Sequence, residues 1–380
     1  MNVSLKILED PAKIASNDPG GVLKLIEEFP RQLEEAFRLG RDFSPPSGWG
    51  RGVKQITFTG MGGSAIGADV IGGYTQKEIR CPVLVNRGYT LPQFVGPETL
   101  LVVSSYSGNT EETISAYRDG KEKKALAVAI SSGGEVEKMA KSFGDPHIKI
   151  PGGFPPRMAL GFLTIPLLVL FDKLGLIRLK AWDFEETLAV VRGIQKKMNP
   201  AVLSGNEAKE TAAFLYGKYP LFYSTSDHFQ AVALRWRGQV EENAKTLATH
   251  HVLPEMNHNE IVGWKNPAEI LKHFAPVFLR DAEEHPRVQL RMKITQELIE
   301  KKGVAIRQVF SEGKSLLARI FSLIYKADYV SVYLAALYGA DPIEIKAIDY
   351  LKKQLAAEVS GAVPARGSMP RAGGDRRVVP

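Results

Sequence analysis

Cysteine is almost absent: Cys81 stands alone in 380 residues. No disulfide framework and no cysteine-rich zinc site can be built from it, which suits a reducing compartment such as the cytoplasm. A long apolar run is also missing. The longest, Met158–Phe171, holds Pro166 and is too short to cross a bilayer, so a buried helix is expected there and no membrane partner. The first residues, Met1-Asn2-Val3-Ser4-Leu5-Lys6, lack the apolar stretch of a secretory signal. There is no dense run of Lys or Arg either. The net charge of +7 is scattered, and no nucleic-acid module is visible, so nucleic acid is not an expected partner. The basic surplus fits a plain basic protein or one that draws an anionic ligand.

What remains is ordinary for a soluble globular chain, at 44% hydrophobic and 24% charged. The length suggests two domains, each large enough for its own core. Residues 1–50 read as a helical segment, with Leu23, Ile26, Phe29, Leu33 and Phe37 at helical spacing, broken by Pro45-Pro46-Ser47-Gly48. Over residues 51–180, short apolar strands (Val53–Thr59, Pro82–Asn86, Leu100–Ser104, Ala125–Ile130, Ile148–Ile150) alternate with helical patterns. Residues 181–205 read as a linking helix. The same grammar restarts over 206–358. This predicts an α/β fold of two doubly wound lobes, each a mainly parallel sheet flanked by helices. Residues 359–380, rich in Gly, Pro and Arg, read as a disordered tail.

The first chemical signal is Gly60-Met61-Gly62-Gly63-Ser64-Ala65-Ile66-Gly67, which follows the strand Val53–Thr59. Its glycines permit a sharp turn and close backbone approach, and a helix starting near Ser64 would aim free N–H groups at an anion. A tight turn without ligand explains it too. So does a dinucleotide site, since Gly60-x-Gly62-x-x-Ala65 fits that fingerprint and Glu78 lies near the expected acidic position. The second signal is Ser105-Tyr106-Ser107-Gly108-Asn109-Thr110, again between a strand and a helix. A capped helix would account for it alone. Two hydroxyl-rich turns at successive strand ends suit the acceptor oxygens of a phosphate monoester, and a dinucleotide does not need the second.

These paired Gly-Gly-Ser and Ser-x-Ser-Gly-Asn-Thr turns resemble the sugar isomerase (SIS) domain family. More narrowly, the chain resembles the bifunctional phosphoglucose/phosphomannose isomerases over about residues 20–355. The resemblance implies two SIS-type lobes, a homodimer, a phosphorylated hexose as substrate, and no cofactor or metal. It carries phosphate binding onto Gly63, Ser64, Ser105, Ser107 and Thr110. It implies interconversion of glucose 6-phosphate, and of mannose 6-phosphate, with fructose 6-phosphate through an enediol(ate).

That chemistry needs a base, a ring-opening group and positive charge near the oxyanion. The resemblance places the base beside Asn243-Ala244-Lys245, at Glu242, with Glu241 the alternative one residue away. By composition alone, paired helical glutamates are solvated surface. The resemblance assigns ring opening to His258, contributed across the subunit interface, and makes Arg157 the oxyanion stabiliser. Lys352, with Lys353 adjacent, matches its C-terminal lysine. Without it, a lone histidine is more often structural and an arginine at a helix start is a solvated residue. A metal site at His250, His251, Glu255 and His258 is an alternative reading, although the spacing matches no usual motif. The chain departs from the family pattern at Asp341-Pro342-Ile343-Glu344, where many relatives have a Thr soon after Asp-Pro, so the mannose activity rests on less than the glucose activity. Two other classes compete. A non-catalytic sugar-phosphate sensor would keep the cradle without the catalytic set, and a nicotinamide-dependent oxidoreductase would bind its cofactor at Gly60–Ala65.

Overall fold

The structure is a computed structural model and describes residues 3–359. Up to Ile343 the chain forms one compact unit, and a second unit begins at Glu344. The first unit holds two parallel sheets. One contains β1 (Gln55–Thr59), β2 (Val83–Asn86), β3 (Thr99–Ser104), β4 (Leu126–Ser131) and β5 (His147–Lys149), in the order β2-β1-β3-β4-β5. The other contains β6 (Tyr219–Thr225), β7 (Thr249–Leu253), β8 (Phe274–Arg280) and β9 (Arg307–Phe310), in the order β7-β6-β8-β9. All pairings are parallel. This is the expected α/β architecture.

The alternation of side chains along each strand explains how the two sheets share a core. In β3, Leu100 and Val102 point into one large apolar cluster while Leu101 and Val103 point into a smaller one. In β6, Phe222 enters the same large cluster while Leu221 and Tyr223 enter a third. Each sheet therefore gives one face to a common interior and covers the other with its own helices, which is why the strands read as near-continuous apolar runs.

Helices fill that common interior. Leu160–Lys173 is buried from Leu160 through Phe171 and packs on Phe29–Asp42. Leu316–Tyr338 is buried from Leu317 through Leu337 and packs on Gln230–Ala244. By length and composition alone Leu316–Tyr338 could cross a membrane, but here it lies inside the fold.

The N-terminal segment is helical but divided, into Pro11–Ser16, Val22–Glu27 and Phe29–Asp42. Gly21, at φ +68°, turns the chain into the second piece, and Pro30 opens the third. Leu23, Ile26, Phe29 and Leu33 are buried as their spacing requires. The short helices Glu255–His258, Glu260–Gly263 and Ala268–Leu271 are additions that periodicity did not predict. The expected tail lies outside the described residues.

Candidate active site

An open sheet in the order β2-β1-β3-β4-β5 reverses its winding between β1 and β3, and ligands bind outside the carboxyl ends of strands at such a point. Both Gly/Ser/Thr turns sit there, one after each strand. The helix Gly62–Thr75 starts at Gly62, earlier than Ser64 suggested, and Gly62 itself takes φ +49°. A Cβ on Gly60 would stand 2.7 Å from the Ser104 carbonyl oxygen, and one on Gly63 would stand 2.6 Å from that of Pro156. The glycines thus let one turn press on the other and the helix start press on the Pro156–Arg157 backbone.

Hydrogen bonds join the two turns. Tyr106 N–H donates to Ser64 Oγ at 2.9 Å. Ser105 Oγ accepts from Gly108 N–H at 3.1 Å and donates to Thr110 Oγ1 at 3.1 Å. Ser107 Oγ accepts from Asn109 N–H at 3.2 Å. In these bonds Ser64, Ser107 and Thr110 act only as acceptors, so each hydroxyl retains a proton for an outside acceptor. Ser64 and Ser105 are buried, Thr110 is half-buried and Ser107 is exposed.

The facing wall is the helix Gln230–Ala244, and Arg157 joins the two sides. Its guanidinium is buried and held on three edges. Nε donates to Asn243 Oδ1 at 2.7 Å, Nη2 to the Pro342 carbonyl at 2.7 Å, and Nη1 to Glu242 Oε2 at 3.3 Å. Burial pulls the Arg157 pKa below its ordinary value, and Glu242 opposes that shift. Its backbone is fixed as well, since Arg235 Nη2 donates to the Arg157 carbonyl at 3.0 Å and to Asp328 Oδ1 at 2.8 Å. A cleft of about 260 Å³ lies between the walls, lined by Gly62, Gly63, Arg157, Glu241 and Glu242 among others. Arg87 and Arg237 also line it. Sequence reasoning missed both, since isolated basic residues carry no local signal.

Glu241 and Glu242 both face the cleft in different company. Glu241 is bound one turn back to Arg237 at 3.4 Å. Burial raises its pKa, and Arg237 opposes the shift. Glu242 instead meets the buried Arg157. His258 ends the short helix Glu255–His258, is exposed, and is not among the cleft-lining residues. Lys352 and Lys353 are exposed on the helix Lys346–Val359, within the second unit. Among the described residues, no three His, Cys, Asp or Glu side chains gather as a metal site would need.

Glu78 argues against the dinucleotide alternative. It precedes β2, its carboxylate accepts the Arg178 N–H at 2.6 Å, and it lines a hollow with Val53 and Lys54 just before β1. That is the amino end of the sheet. Gly60–Ala65 lie a full strand length away at the carboxyl end, so Glu78 cannot serve a ribose bound there.

Comparison with known proteins identifies the family. Residues 204–355 match the model of the bacterial phospho-glucose isomerase C-terminal SIS domain. The bifunctional phosphoglucose/phosphomannose isomerase of Caldicellulosiruptor bescii is 43% identical over 332 residues, covering 87% of this chain and 98% of that one. This chain belongs to the bifunctional phosphoglucose/phosphomannose isomerase family. A relative of the same name from Aquifex aeolicus is 38% identical over 341 residues, covering 88% of this chain and 98% of its own. The fold is shared more widely. A hypothetical protein from Thermus thermophilus superposes with a TM-score of 0.72 at 15% identity, covering 94% of this chain and 95% of that one.

Proposed function

We propose that this protein is an aldose–ketose isomerase that interconverts glucose 6-phosphate and mannose 6-phosphate with fructose 6-phosphate. The observation that carries the reading is the Arg157–Glu242 pair, because it sets a carboxylate and a cation in the same cleft as Gly62 and Gly63, where the helix Gly62–Thr75 begins. The phosphate would rest on the Gly63 backbone and on the hydroxyls of Ser64, Ser107 and Thr110, with Ser105 orienting Thr110.

In this reading Glu242 carries the proton between C1 and C2 of the open-chain sugar, and Arg157 faces the oxyanion of the enediolate. The pairing of Glu241 with Arg237 supports Glu242 over Glu241. Ring opening falls to His258, with Lys352 assisting. An exposed His258 outside its own chain's cleft supports a homodimer in which each subunit completes the other's site. So does an apolar stripe on the helix Pro286–Glu300, where Leu290, Ile294 and Leu298 recur every four residues and are 40–45% exposed. Glycolysis and gluconeogenesis, in the cytoplasm, are the setting that such an isomerisation serves.

The test is incubation with fructose 6-phosphate, a chelator and no cofactor, followed by assay of both aldoses. Both products are expected. No turnover would overturn the isomerase reading, and glucose 6-phosphate alone would overturn the mannose activity.

A further inference from the structure

The helix Leu316–Tyr338, buried from Leu317 through Leu337, carries polar side chains that point at the cleft wall rather than at solvent. Asp328 and Ser331 lie one turn apart, both buried. Three residues four apart on the helix Gln230–Ala244 meet them. The Asp328 carboxylate accepts from Arg235 Nη2 at 2.8 Å and from Gln239 Nε2 at 2.6 Å. Ser331 Oγ accepts from Asn243 Nδ2 at 2.9 Å.

The donor roles in this chain are forced. The Ser331 hydroxyl has one proton, and it goes to the Asp328 carbonyl at 2.7 Å. Its oxygen is then left to accept from an N–H. That draws the Asn243 NH₂ toward Ser331 and turns the amide oxygen toward Arg157, whose Nε can only donate. With Nε engaged and Nη2 on the Pro342 carbonyl, the guanidinium plane has no freedom to rotate, and Nη1 stays aimed at Glu242.

We propose that Ser331 is a positioning residue for the isomerase reaction, acting through Asn243 to fix the plane of the Arg157 guanidinium. This rests on the reading of Arg157 as the group that faces the enediolate. Ser331 touches neither the cleft nor a reacting atom. Its effect is on how often Arg157 stands ready, so it bears on turnover more than on sugar-phosphate binding.

A matched control lies on the same helix. Ser322 is equally buried, donates to the Arg319 carbonyl at 2.7 Å, and accepts the Glu312 N–H at 2.8 Å, with no link to Arg157. Ser331→Ala strands a buried N–H and Ser322→Ala a part-buried one, so both should lose thermal stability. Only Ser331→Ala should change the chemistry. We expect its kcat to fall about tenfold with KM changed less than about twofold, while Ser322→Ala keeps kcat. The loss should vanish when Ser331→Ala is added to Asn243→Ala, since the two act in one chain. Should Ser331→Ala not fold, Ser331→Cys fills the volume with a poorer acceptor and should lower kcat in the same direction.

Wild-type kcat in Ser331→Ala, beside an inactive Arg157→Ala, would overturn the proposal while leaving the role of Arg157 intact. Equal kcat losses in Ser331→Ala and Ser322→Ala, or losses that multiply in the double variant, would overturn it too. An active Arg157→Ala would instead remove the reading on which the proposal stands, and the proposal with it.

Discussion

Arg157 Nη1 lies 3.3 Å from Glu242 Oε2 across 85 residues of sequence, with the arginine buried and the glutamate about one-third exposed. The pair is open to the cleft on the glutamate side. Arg157 is already supplied with acceptors on its other edges, so in the proposed mechanism an oxyanion would find a cation that needs no reorganisation. Glu242 keeps an open side toward the cleft, where a proton can reach it.

Glu242→Gln should lower kcat by about 10²–10⁴-fold, the usual contribution of a positioned base, with little change in sugar-phosphate affinity. Initial rates together with equilibrium binding of a non-isomerisable sugar phosphate check this. Glu241→Gln should retain most activity. The reverse pattern would place the base one residue earlier.

Arg157→Lys keeps the charge and loses the fork. An ammonium cannot serve Asn243 Oδ1, the Pro342 carbonyl and Glu242 together. We expect kcat to fall about 10²-fold or more, by the usual worth of an oxyanion donor. Stability should fall by about 1–3 kcal/mol from the buried acceptors left unpaired, read by urea denaturation.

Gly63→Ala tests the close approach at the helix start. The new Cβ would meet the Pro156 carbonyl oxygen at 2.6 Å and the Arg157 nitrogen at 3.0 Å, both backbone atoms that cannot swing aside. Either the helix start or the Arg157 turn must move, at a cost of about 1–3 kcal/mol. KM for the sugar phosphate should rise and kcat should fall. Gly72→Ala, on the same helix, meets only Val83 Cγ1 at 4.0 Å and should be neutral or stabilising.

His250, on β7, gives a pH dependence with a definite sign. Burial first, then the charges of Arg237 and His251, push its pKa down to about 4. An unfolded imidazole takes its proton near the ordinary value of about 6.5, whereas the folded one stays neutral until about pH 4. The unfolded state therefore binds more protons between those limits, and stability from this group falls as pH falls through the window. Denaturation midpoints compared with His250→Asn should show the variant losing less stability from pH 6.5 to 4. Parallel slopes would contradict it.

Much of the fold was legible because its strands are short β-branched runs that end on turn residues. Leu100–Ser104 is an example, with a buried side chain on both faces at every position. The segment from Glu255 to Leu271 was not legible. Its short helices are held by the burial of Met256, Trp264 and Leu271 in a shared cluster, and no periodicity records that. Likewise the two Gly/Ser/Thr turns could be placed at strand ends, since glycine and hydroxyl spacing are local. The roles of Asn243 and Ser331 could not, because they arise only when two distant helices face each other. Asn243 had a faint signal in its place beside Glu242. Buried Ser331 had none.

The repeat of plan between the sheets does not extend to the site. After β8, where the first sheet has Ser105–Thr110, the second has Asp281, Glu283 and Glu284. There Asp281 and Glu284 are buried, and Arg319 and Arg280 answer them. Those carboxylates are taken up by arginines, and the Ser/Thr hydroxyls of the first turn have no counterpart there.

The bonds from Arg235 to the Arg157 carbonyl, and from Arg157 to Asn243 and Glu242, tie the turn that follows the first sheet to a helix of the second. A jaw-like opening of the lobes would have to rupture all of them at once. Sugar phosphates are therefore expected to enter and leave without such an opening. Turnover should be insensitive to crowding agents that penalise large breathing motions, and more sensitive to bulky side chains placed at the rim.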